Sequence, residues 1–75
     1  MEVRVIYHDK TDDQHVTLLE KKYAGLPDAF IPKINDVLTV YSCVIEETLQ
    51  IKVIEILAMI ERDYDQFDIL VERLE

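Results

Sequence analysis

Residues 34–60 contain twelve Val, Ile or Thr among twenty-seven positions, and no glycine or proline follows Pro32. Side chains branched at Cβ lose rotamer freedom in a helix and pack well on a pleated sheet, so this stretch favours strands. The whole chain holds only three alanines, few for a helical bundle of 75 residues. A competing periodicity exists. Val53, Leu57, Ile60, Tyr64, Phe67, Val71 and Leu74 follow a 4-3-4-3-4-3 spacing, which would suit an amphipathic helix over residues 47–74. The β-branched run outweighs it. The expected architecture is mainly β: a small five-stranded antiparallel sheet or SH3-like barrel. The alternative is an α+β arrangement, a hairpin or three-stranded sheet packed on a C-terminal helix.

Two strands are expected near the N-terminus, VRVIY and HVTLLE, separated by the polar segment DKTDDQ. Pairing His8 with His15 matches Tyr7 with Val16 and Val5 with Leu18 on an apolar face. Arg4 with Leu19 and Glu2 with Lys21 then lie on a mixed face. Two histidines supply only half of a zinc site, and the turn acids Asp9, Asp12 and Asp13 lack the density and the glycine of a hard-cation loop. No metal or cofactor is expected. AGLPDAFIP holds the only glycine and both prolines and reads as a surface connection. Leu26, Phe30 and Ile31 are expected to fold it back over the core. VLTVYSCVI reads as a strand buried on both faces, with Cys43 as a small core residue. In the C-terminal part, DYDQ is the expected turn of a closing hairpin.

The 75 residues form a single domain, 1–75, too short for a second. Its net charge of −8 excludes direct nucleic-acid binding, which needs cations against phosphates, and it opposes adsorption on anionic membranes. The acidity is concentrated late in the chain, with −2 over residues 1–45 (seven acids, five bases) and −6 over residues 46–75 (nine acids, three bases). One cysteine forms no internal disulfide, and no leader or long apolar segment opens the chain, so a cytoplasmic location in a bacterial host is expected.

Ile31-Pro32-Lys33-Ile34-Asn35-Asp36-Val37 and Ile51-Lys52-Val53-Ile54-Glu55-Ile56 follow a Pro-x-x-Gly-Asp-apolar pattern and then Lys-Val. On these residues, the stretch 31–74 resembles a loose group of small β-rich proteins of phages and mobile elements. Asn35 replaces the usual glycine, which Asn tolerates because it too adopts the left-handed conformation. CVIEETLQ stands where the group has a tight glycine turn. The resemblance implies a small β fold and no particular activity.

Catalytic constellations are missing from the sequence. Ser42 is the only serine and sits on no sharp glycine turn, and the single glycine rules out a phosphate-cradling loop. Glu46-Glu47 and Asp63-Tyr64-Asp65 read as solvated carboxylates rather than as an acid/base pair. The chain is therefore expected to be a non-catalytic acidic protein-binding module. The first reading is a phage-encoded inhibitor of a host nucleic-acid-processing or defence enzyme, which docks phosphate-mimicking carboxylates on a basic surface. Its expected contact residues are Glu61, Asp63, Tyr64, Asp65, Phe67 and Asp68, with Glu61, Asp63 and Asp65 in a row on one strand face. The alternative is a self-associating structural or assembly subunit, a homo-oligomer built through open strand edges and the surplus of apolar residues.

Overall fold

A computed structural model describes residues 2–10 and 16–74. Five strands follow in order: β1 (Glu2–Asp9), β2 (Thr17–Tyr23), β3 (Val37–Ser42), β4 (Glu47–Ile60) and β5 (Tyr64–Leu74). They form one sheet in the order β2-β1-β5-β4-β3, curled nearly closed into a barrel. The only helical element among the described residues is a 3-10 turn at Leu26–Asp28. The C-terminal helix is thus excluded: residues 47–74 are two strands and a turn. The 4-3 spacing marks no single buried face: Val53 and Val71 are fully buried, while Leu57 and Ile60 are exposed. All neighbouring pairs are antiparallel except β1 and β5, which run parallel from Glu2↔Tyr64 to Asp9↔Val71. The expected wholly antiparallel sheet is corrected at that one pair.

The interior is built by alternation. Val3, Val5 and Tyr7 point inward from β1, while Glu2, Arg4 and His8 face outward. Ile51 and Val53 of β4 and Ile69 and Val71 of β5 complete the fully buried set with Leu18. The first hairpin sorts its β1 faces as expected, but the register differs. Val5 pairs with Lys21 and Tyr7 with Leu19, and a bulge then brings His8 opposite Thr17. The bulge lets Leu18 reach the core, and no simple ladder would have revealed it. His15, the proposed partner of His8, and the turn acids Asp12 and Asp13 lie outside the described residues.

β3 is half-buried rather than buried on both faces, because Val37 and Tyr41 are exposed while Leu38 and Val40 pack inward. Ser42, not Cys43, is the buried small residue. Its Oγ donates to the carbonyl of Leu18 at 2.6 Å, joining the outer edges of β2 and β3 at one point of the open seam. The chain turns immediately afterwards, so Cys43 is exposed. That turn is tight despite lacking glycine, with Glu46 at φ 56 in the left-handed region. Asn35 fills the glycine place of the second turn at φ 77, and the side chain of Asp36 accepts the backbone N–H of Lys33 at 2.8 Å. In the connection, Ile31 packs on the core as expected. Leu26 and Phe30 remain exposed.

Burial pushes the Tyr7 phenol up to about 12, and the neighbouring Tyr23 adds to the shift. The neutral phenol is favoured in the folded chain, so the unfolded chain gives up its proton first, near pH 10. Stability is therefore intact below pH 10 and falls as pH rises toward 12, by roughly 2 kcal/mol. Tyr7→Phe should remove that part of the alkaline loss, which urea unfolding at pH 9, 10, 11 and 12 on both proteins would measure. Equal slopes for the two proteins would contradict it.

Candidate functional site

β4 runs well past its neighbour on one side. β3 pairs with it from Glu47 to Lys52, and the loop after Lys33 extends this edge by one step, through Asn35 N–H to Val53 O (2.8 Å) and Val53 N–H to Asp36 O (2.9 Å). A bulge between Val53 and Glu55 follows. Beyond it β4 pairs only with β5, from Glu55↔Leu70 to Ile60↔Asp65, and no described backbone group bonds its other edge. This free edge has the sequence Ile54-Glu55-Ile56-Leu57-Ala58-Met59-Ile60. Ile54, Leu57, Met59 and Ile60 are all exposed, Ile60 at 72%. Natural edge strands are usually blunted by lysine, proline or brevity. Here the one charge is Glu55, and Lys10 lies 3.5 Å from its carboxylate.

The expected acidic row does not form. β4 ends at Ile60, and the turn lies at residues 61–63, with Glu61 N–H donating to Tyr64 O at 3.0 Å, earlier than the expected DYDQ. Glu61 and Asp63 are exposed on that turn with Arg62 between them, so the tip carries a net charge of only −1 (two acids, one base). Asp65 belongs to β5 and points inward. It is 6% exposed, beside Val3 on β1, and its Oδ1 has no hydrogen-bond partner among the described residues. The reading of Asp63-Tyr64-Asp65 as uniformly solvated is corrected for this residue. Strand alternation is the reason: a β5 beginning at Tyr64 turns its second side chain into the barrel. Phe67 lies on the same face and packs against the core. Tyr64 is on the outer face, where the Arg4 guanidinium covers its ring at 4.0 Å while Glu2 holds Arg4 at 2.7 Å. Asp68 also faces outward, taking Gln66 Nε2 at 3.0 Å and standing 3.4 Å from His8 Nε2.

His8 also lies 3.3 Å from the Thr17 hydroxyl through Nδ1, so a hydroxyl, an imidazole and a carboxylate stand in line on the outer face. Both contacts are long, and the group sits on a strand face, outside the cleft described next. The geometry accounts for the three side chains as a cross-strand polar network. The cleft itself, about 370 Å³, opens where β2 and β3 fail to meet, lined by Leu19, Lys21, Val40, Tyr41 and Cys43 among others. No group of three or more potential metal ligands occurs among the described residues.

The apolar edge was the feature that sequence reasoning placed least well. Its signal was present in ILAMI, an uncharged run longer than the alternation of a half-buried strand requires. Compared with known protein families, with curated proteins and with solved structures, the chain matches none. No helix of the described residues is long and apolar enough to cross a membrane.

Proposed function

We propose that the chain is a non-catalytic protein-binding module whose contact strand is β4 beyond its bulge. The observation that carries this reading is the unpaired edge at residues 54–60 with Ile54, Leu57, Met59 and Ile60 exposed along it. A partner strand laid against that edge gains main-chain hydrogen bonds and apolar contact together. Glu61 and Asp63 border the edge, so a Lys or Arg flanking the incoming strand fits best. The phosphate-mimicking inhibitor of a host enzyme is a narrower version of the same reading. It draws support from the net charge of −8 and the exposure of Glu61 and Asp63, and it loses Asp65 from its row. The single cysteine goes with action in the cytoplasm of a bacterial host.

Capture from a bacterial lysate by the immobilised chain, repeated with two double variants, separates the versions. Leu57→Lys with Met59→Lys should abolish recovery of the partner, while Glu61→Lys with Asp63→Lys should weaken it by about tenfold or less, as expected for charges at a rim. Full loss with the second pair and none with the first would overturn the edge reading in favour of the carboxylates.

A further inference from the structure

The edge 54–60 has a property that goes beyond being open: it is complementary to itself. Laid antiparallel on a second copy, its seven residues pair in full only when Leu57 lies on the two-fold axis. Ile54 then faces Ile60, Glu55 faces Met59 and Ile56 faces Ala58. No charge meets a like charge, which would destabilise the pairing. Leu57 and Met59 lie on the outer face of both sheets, and Ala58 and Ile60 on the face that continues the barrel interior, so the pleats of the two copies agree.

The ends of the edge are also matched. Past Ile60 come Glu61 and Arg62, and before Ile54 the edge is occupied by the turn that holds Lys33 and Asp36. In the symmetric arrangement, the Glu61-Arg62 end of one copy arrives beside the Lys33–Asp36 turn of the other, and each of these ends carries one acid and one base. Ile34, exposed on that turn, comes next to the exposed Ile60. A foreign strand would need the same uncharged centre and ends that carry both signs. The chain supplies them itself.

We infer that the contact strand of the proposed module is occupied by a second copy of this chain, joined antiparallel through residues 54–60 with Leu57 on the two-fold axis, giving a continuous ten-stranded sheet. This rests on the reading of β4 as the contact strand and adds the partner and the register. Closed two-fold pairing is also the commonest way in which a chain buries one surface patch on itself.

The mass in solution and the register test it separately. Light scattering at micromolar concentration should give twice the 8.8 kDa of one chain. Leu57→Lys sets two like charges face to face across the axis and should raise the dissociation constant by about a hundredfold or more. In a Cys43→Ser background, Leu57→Cys should oxidise readily to a covalent dimer. Residues directly opposite in an antiparallel pair have Cα atoms about 4.5–5.5 Å apart, within disulfide reach. Ile60→Cys in the same background should not, because its two copies stand six residues apart along the strands, about 20 Å. Equal cross-linking at both positions would overturn the register. A mass of 8.8 kDa up to millimolar concentration would overturn the second copy as occupant. If such a monomer still lost a foreign partner on Leu57→Lys, the module reading would survive the failure of this one.

Discussion

Ile51→Ala is expected to destabilise the domain by about 3–4 kcal/mol, the cost of a truncated β-branched core residue plus the cavity left behind. Ile51 is fully buried and lies where the sheet is best supported, between Leu38 on β3 and Arg73 on β5. Its neighbours along the strand interior, Val53 on one side and Leu49 on the other, belong to the same packed layer and are held by the ladder, so they cannot collapse into the gap. A domain of this length has only about 4–11 kcal/mol of total stability, so the loss is a large fraction of it. Urea unfolding followed by circular dichroism should show the midpoint falling with the slope unchanged. Val44→Ala, at an exposed residue of the β3–β4 turn, should move the midpoint by no more than about 0.5 kcal/mol equivalent. If the two substitutions cost the same, the core is not where the alternation places it.

The inward set of β1 was legible because VRVIY alternates cleanly, and a half-buried strand can do little else with that pattern. The hairpin at the C-terminus was legible from composition, since β-branched residues and scarce alanine outweighed a helical spacing. What the sequence could not show was each place where a strand departs from strict alternation. The bulge at Leu18 shifted the register of β2, and the bulge after Val53 let β4 continue past β3 and expose its edge. The turn position at residues 61–63 decided that Asp65 would be buried instead of joining Glu61 and Asp63. A bulge needs no glycine or proline, so composition does not announce it; it is fixed by packing between strands distant in the chain. Cys43 failed for a related reason. VLTVYSCVI reads as one apolar run, but a turn centred on left-handed Glu46 cuts it in two and leaves the thiol outside. The apolar surplus, by contrast, was legible as a quantity. Its location was not, because an exposed Leu57 and a buried Ile51 look alike until the neighbouring strands are placed.

Arg73→Met should cost about 2–3 kcal/mol, because it takes the Arg73 charge away from a buried carboxylate. Asp9 closes β1 and is 1% exposed, and the Arg73 Nε lies 2.5 Å from its Oδ2. The pair joins the ends of the two parallel strands just where Lys10 N–H also reaches the carbonyl of Val71 at 2.7 Å. The two partners are not equally dependent on each other. Arg73 is more than a third exposed, so water can take over part of its solvation, and this keeps the expected cost below that of a fully buried pair. The carboxylate, 1% exposed, is shut off from water. Asp9→Leu should therefore be milder than Arg73→Met, since it removes the buried charge and leaves an exposed one. The double variant Asp9→Leu with Arg73→Met should recover to within about 1 kcal/mol of the parent, as hydrophobic replacements of buried ion pairs do. A double-mutant cycle by urea unfolding measures all three. If Asp9→Leu proved the more damaging single change, the carboxylate would be organising the β1–β5 junction through its further interactions, and the charge pairing with Arg73 would be secondary.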